Sequence, residues 1–184
     1  SYIQNKGGGK FEMTPLPIEA QFSVLNGMQV DDFDGDGNLD LLINGNDYGT
    51  EVSVGRYDAL NGLLLKGNGQ GQFSALSILE SGIFIPGNGK ALVKLRGASG
   101  NYLMAASQNR GPLKVYTLKK KTSLLNILPK DASAIIEFVN GKKRKEEFYF
   151  GNSFLSQSAR FMSYNEQVKQ ITIIDQNGVS RKSN

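Results

Sequence analysis

The chain has 184 residues, a formal net charge of +4 and neither cysteine nor histidine. That composition excludes disulfides, thiol catalysis, cysteine-bound zinc and the Ser-His-Asp triad, and it removes the most common transition-metal ligand. The length suits one ordinary domain or two small ones with a substantial core, and no apolar run approaches the roughly 20 residues of a membrane-spanning helix.

Charge divides the chain in two. Up to Leu118 there are nine Lys/Arg against eleven Asp/Glu; from Lys119 onward there are twelve against six. The break falls at Leu118-Lys119-Lys120-Lys121, read as a solvated linker, so residues 1–118 and 119–184 are expected to be separate units.

Within the first unit, Gly7-Gly8-Gly9-Lys10-Phe11 returns as Gly69-Gln70-Gly71-Gln72-Phe73, and Met28-Gln29-Val30 aligns with Ala91-Leu92-Val93. A period of about 62 residues suits a four-stranded propeller blade with generous loops. Strands are expected at Met28–Val30, Leu39–Ile43, Leu63–Leu65, Ala91–Leu95, Tyr102–Ala106 and Leu113–Tyr116, joined by Gly/Asn turns. Helical periodicity is weak throughout.

The most telling stretch is Asp32-Phe33-Asp34-Gly35-Asp36-Gly37-Asn38-Leu39-Asp40. Carboxylates at alternate positions of a tightly curled loop converge on one point, as a hard divalent cation with six to eight oxygen ligands requires. Asp32, Asp34, Asp36 and Asp40 offer carboxylates and Asn38 its main-chain carbonyl, while Gly35 and Gly37 take backbone angles that a side chain resists. The twelfth position, where an EF-hand places its glutamate, is Ile43, and strands rather than helices flank the loop. Asp and Gly also dominate metal-free turns. Four carboxylates at such close quarters repel one another without a cation, which favours calcium, held as a structural staple rather than a catalytic ion. The second copy has Gly97-Ala98-Ser99-Gly100-Asn101 in this place and is expected to bind none.

Between the copies, Asp47–Asp58 is longer than a blade needs. Arg56, Tyr57 and Asp58 combine a bidentate donor, a stacking ring and an acceptor, a set suited to a sugar or a peptide and equally to pinning the loop. Lys66–Gly71 has neither the spacing nor the Lys-Ser/Thr of a phosphate-binding loop.

The second unit again reads as β. Ala134–Val139 runs into the hairpin signal Asn140-Gly141, with a return expected over Glu147–Phe150 and a two- or three-residue loop between. Val168–Ile174 leads to a further turn at Asp175–Gly178. The run Lys142-Lys143-Arg144-Lys145 admits polyanion binding, but without interleaved aromatics a charged tip protecting an edge strand is the more economical reading. Ser156 and Ser158 have only Lys145 or Lys169 as conceivable bases, so they are read as structural.

Two resemblances follow from these residues. Asp32–Asp40 with Gly67–Phe73 resembles the FG-GAP or VCBS repeat, whose pattern is an Asp-x-Asp-x-Asp-Gly-x-x-Asp loop followed by a strand, a Gly-rich turn and Phe. Ala134–Arg181 resembles the ASPIC/UnbV domain: Gly151–Ser158 matches its Gly-Ser-Gly-Tyr-Leu-Ser-Gln-Ser core, and Asp175–Gly178 stands where Trp-Pro-Asp-Gly is usual. The order of the two is that of the cartilage acidic protein family and its bacterial relatives. The resemblance implies calcium at Asp32, Asp34, Asp36, Asn38 and Asp40, and a partial β-propeller of about two blades followed by a small antiparallel β domain. A closed propeller needs at least about four blades, so further blades N-terminal to this piece are expected.

The resulting expectation is a non-catalytic, calcium-binding, all-β module that is extracellular, periplasmic or associated with an outer membrane, because weak calcium loops fill where the free ion is plentiful. Its role would be adhesion, assembly or the binding of an extracellular protein or polysaccharide, with no specific nucleic acid. The alternatives are a polysaccharide-active hydrolase or lyase using a carboxylate pair such as Glu51 and Asp58, and a structural cap of a longer propeller.

Overall fold

The computed structural model describes residues 1–120, 122–151 and 156–183. Lys121 of the basic junction and residues 152–155 of the Gly151–Ser158 motif lie outside the described residues. The architecture is all-β, built of small antiparallel sheets of which none closes into a barrel or ring.

Strands β1 (Tyr2–Gly7) and β2 (Lys10–Thr14) form a hairpin. A four-stranded meander follows, made of β3 (Leu25–Asp31), β4 (Asp40–Gly45), β5 (Leu63–Gly67) and β6 (Phe73–Leu76) in chain order. Its central strands have apolar residues in succession because both faces are covered, as strands between two packed layers require. On one face Ile43, Leu63 and Leu65 bury against Ala20, Leu60, Leu16 and Phe73. On the other, Leu42 and Leu64 meet Leu92, Met104 and Ile85. A single capped helical turn, α1 (Ile78–Ser81), leads toward the next sheet.

That sheet holds β7 (Gly89–Arg96), β8 (Tyr102–Gln108) and β9 (Lys114–Thr117). Gly27 permits the close approach of β3 to β7: a Cβ there would stand 2.2 Å from Asn44 Oδ1 and 2.8 Å from Leu92 Cβ. Asparagines stitch the two sheets. Asn26 donates to the Asn46 and Gly89 carbonyls at 3.1 and 2.9 Å, Asn44 donates to the Ala91 carbonyl at 3.2 Å, and Asn46 donates to the Gly87 carbonyl at 2.9 Å. Burying these amides is favourable only because each meets a backbone partner.

The strand after β9 turns away: β10 (Ser123–Asn126) pairs with β13 (Phe161–Tyr164) instead of extending the β7–β9 sheet. The third of the larger sheets (the third sheet) runs in the order β12, β11, β14, β15, from β11 (Asp131–Phe138), β12 (Lys143–Glu147), β14 (Val168–Asp175) and β15 (Ser180–Ser183). Ala134, Ile136, Phe138, Ile171 and Ile173 form its buried face with Met162 and Ile127. The two expected segments also share a core, since Phe161 packs with Leu92, Tyr102 and Met104.

The hairpin at Asn140-Gly141 forms with a three-residue loop, Val139 to Gly141, with Gly141 at φ +82° and Phe138 N–H donating to the Lys142 carbonyl at 2.9 Å. The returning strand is Lys143–Glu147, earlier than the expected Glu147–Phe150. The cause is the turn: the short loop pairs Glu137 with Lys143 and Ala134 with Glu146, so charged residues rather than the aromatic run occupy the edge.

Asp131 anchors this sheet. Its buried carboxylate takes both Arg181 guanidinium nitrogens, at 2.5 and 2.6 Å, and the Leu128 N–H at 2.7 Å. The Arg181 bonds hold its carboxyl below the ordinary Asp range, against burial, which pushes it up. The stability so gained is present above the ordinary carboxyl value near 4 and is lost as pH falls through the folded-state value. Arg181→Met should cost about 1–3 kcal/mol at neutral pH, and urea unfolding at pH 7 and pH 3 should show the deficit narrowing in acid.

Candidate metal loop

Residues 32–39 connect β3 to β4, and the strand pair brings Asp31 opposite Asp40 at its mouth. Gly35 and Gly37 curl the loop at φ +73° and +86°. Its own carboxylates cap its amides. Asp34 accepts from the Asp36 N–H at 3.1 Å, Asp36 from Asn38 at 2.8 Å, Asp32 from Gly37 at 2.9 Å, and Asp40 from Phe33 and Gly67 at 3.0 and 2.9 Å.

The carboxylates of Asp32, Asp34 and Asp40 each offer an oxygen within 4.8 Å of the others. Asp36, expected as a fourth ligand, points one oxygen toward the Lys66 ammonium at 3.2 Å, and Lys66 also grips Asp34. The side chain of Asn38 receives the Lys142 ammonium. The donor set fits calcium: three hard carboxylate oxygens converge, and Asp32, which carries one of them, also has a buried oxygen, Oδ1, without a hydrogen bond of normal geometry. An orphaned anionic oxygen inside a protein is costly unless a cation meets it.

Burial pushes the Asp40 carboxyl up to about 6, against the Gly67 amide that stabilises its charge. Asp32 is also raised by burial, opposed by the Arg144 guanidinium. Burial acts the same way on Asp36, but the bonds from Asn38 and Lys66 outweigh it and hold that carboxyl low. The two carboxylates raise Lys66 above the ordinary lysine range.

The third sheet holds the loop from outside. Arg144 on β12 donates to the Gly37 carbonyl at 3.0 Å, lies 3.7 Å from Asp32 and reaches Glu146 at 3.4 Å. Asn165, after β13, donates to the Gly35 carbonyl at 3.2 Å. The Phe138 ring lies so close to Gly37 that a Cβ there would stand 3.2 Å from it. The run Lys142–Lys145 is thus engaged: Lys143 reaches Glu137 at 3.7 Å and Lys145 pairs with Glu147 at 2.5 Å.

Behind the loop lies a charge network that the sequence did not signal. Asp31 accepts from Tyr102 at 3.0 Å and Ser163 at 2.8 Å and stands 3.6 Å from Lys94. Burial pushes Glu146 up, with the Asp31 charge adding to the effect and Lys94 and Arg144 opposing it. These residues come from β3, β7, β8, β12 and β13, and no local spacing links them.

The other predicted residues separate. Arg56 stacks over Tyr48 at 4.8 Å, and Asp58 accepts the Tyr48 hydroxyl at 2.5 Å and the Asn46 amide at 3.3 Å, so both serve to pin the loop. Tyr57 pairs through its backbone with Asp47 and leaves its ring half-exposed. Glu51 lies in an exposed turn, and no hydrogen bond links it to Asp58 among the described residues. The Ser158 hydroxyl accepts from the Lys94 N–H at 2.9 Å and the Gln29 amide at 3.0 Å, while Lys169 pairs with Glu137.

In comparisons with known proteins, the chain matches no family model and no curated protein. The weight therefore rests on the loop itself. Arg144→Met removes the donor to Gly37 and leaves Glu146 and Asp32 without their buried counter-charge, so urea unfolding should show a loss of about 2–4 kcal/mol. Lys145→Met, at an exposed pair, should cost under about 1 kcal/mol.

Proposed function

We propose that this protein is a non-catalytic, calcium-stabilised β module of the FG-GAP or VCBS kind, acting outside the cytoplasm in adhesion, ligand binding or assembly. The observation that carries the reading is the convergence of Asp32, Asp34 and Asp40, whose carboxylate oxygens lie within 4.8 Å of one another, with the buried Asp32 Oδ1 lacking a hydrogen bond of normal geometry. Calcium there would staple β3 to β4 and, through Gly35 and Gly37, fix the loop against the third sheet. Asp36 and the Asn38 carbonyl would complete the set by a local turn of the loop. The meander of β3 to β6 is compatible with one propeller blade, and the β7–β9 sheet with most of a second.

A cap or assembly role has its own support. The β1–β2 hairpin packs Tyr2 against Phe73 and turns Ile3, Phe11 and Met13 outward, exposed by 61, 65 and 70%. A contiguous apolar face of this kind is suited to another sheet. Of the three residues expected to bind a ligand, Tyr57 keeps a half-exposed ring on which an extracellular polysaccharide could stack, while Arg56 and Asp58 pin the loop.

Calcium that binds the folded state alone raises the melting temperature as its concentration passes the dissociation constant. Millimolar calcium should therefore raise the melting temperature by a few degrees, and the double variant Asp34→Asn with Asp36→Asn should abolish the rise. A wild-type melting curve indifferent to calcium would overturn the reading.

A further inference from the structure

We infer that Lys66 is the resident counter-cation of the acidic loop, which a divalent ion must displace in order to bind. The inference rests on the calcium reading and adds a residue that the loop pattern does not contain. Lys66 lies on β5, between Leu65, which is fully buried, and Gly67, whose N–H holds Asp40. The strand therefore delivers both an amide and an ammonium to the loop from one short stretch.

The ammonium contacts Asp34 and lies 3.2 Å from Asp36, the two loop carboxylates nearest solvent. A lysine offers three donors and one charge on a flexible stem. It can satisfy the oxygens of Asp34 and Asp36 together without a fixed coordination geometry. The other cations among the described residues are placed differently: Arg144 sits beside Asp32 with its guanidinium on the Gly37 carbonyl, Lys142 reaches the Asn38 side-chain oxygen, which is neutral, and Lys120 lies against Gly35. Among the described residues, Lys66 alone forms ion pairs with both Asp34 and Asp36.

Calcium requires direct contact with carboxylate oxygens at about 2.3–2.6 Å. An ammonium on Asp34 and Asp36 occupies the approach to the same oxygens, and two cations on one pair repel. Metal and lysine are therefore alternatives. The lysine tail, about two-fifths exposed, has room to swing into water when the ion enters. Two consequences follow. Without metal the loop is held together by Lys66, and with metal the affinity is lowered by the work of displacing it.

The test is Lys66→Met, which keeps the stem and removes the charge, compared with wild type and with Lys6→Met, which removes the same charge at the Lys6–Glu12 pair on the β1–β2 hairpin. Calcium affinity is read by isothermal titration calorimetry and stability by melting with and without the metal. Lys66→Met should bind calcium about tenfold more tightly, while its metal-free melting temperature falls by about 2–4 °C. A purely structural lysine would lower stability without tightening binding. If wild type binds calcium and Lys66→Met binds equally or less tightly, or if Lys6→Met tightens binding as much, the inference fails and the calcium reading stands. If only Lys66→Met binds, the inference holds and the native loop is a lysine-closed site rather than a calcium site. If neither binds, both are overturned.

Discussion

Four carboxylates in nine residues can be folded into one bend only if positive charge meets them, and the rest of the molecule is arranged around that condition. The positive groups come from two directions. Lys66 reaches in from the neighbouring strand of the same sheet, and Arg144 and Lys142 reach across from the third sheet. Like-charge repulsion at this range raises carboxyl pKa values, while nearby cations and amide donors lower them. The loop displays both outcomes side by side: burial first, with the Asp34 charge added, pushes Asp40 up to about 6 against its backbone donors, and bonds from Asn38 and Lys66 hold Asp36 low.

The same groups join the sheets. Arg144 holds a loop carbonyl, a loop carboxylate and Glu146 together, and its guanidinium lies 5.4 Å from the Phe138 ring, which packs on Gly37. Ion pairs of this kind contribute little net stability when exposed, but breaking a buried one leaves a charge stranded. The loop is consequently a joint as much as a candidate binding site: whatever changes its charge is felt by β12 and by the turn after β13. At the other end of the β3–β4 pair, neutral amides do comparable work, with Asn26, Asn44 and Asn46 bonding backbone around the β3–β7 contact.

Much of the strand plan was legible locally. Six strands of the first unit fall where alternating or continuous apolar residues between Gly/Asn turns place them, and the hairpin at Asn140-Gly141 forms. The β1–β2 hairpin, β6, β10, β13 and β15 were not anticipated: β1, β2 and β15 are largely exposed, while β6, β10 and β13 are four residues long, too short to show a pattern even though Phe161 and Met162 of β13 are buried. The return strand of the hairpin was displaced because aromatic content at Phe148–Phe150 outweighed turn geometry in the reading. Lys66 and Asp31 carried no signal of their roles, and Arg144 stood out only as one member of a basic run, because the meaning of a charge depends on what it faces.

The sequence by itself determined the all-β class, the exclusion of cysteine and histidine chemistry, and the acidic loop with its two glycines, since composition, period-two patterning and turn residues act over a few neighbouring positions. Only the tertiary structure decided that Arg144 and Lys142 of the basic run reach the loop while Lys143 and Lys145 stay on the exposed edge, that Asp36 turns to a lysine, and that Phe161 joins the core of the earlier sheets. Those outcomes depend on pairings between residues as many as 132 positions apart, such as Asp31 with Ser163, and distance along a chain carries no information about which opposite charges or apolar faces folding will bring into contact.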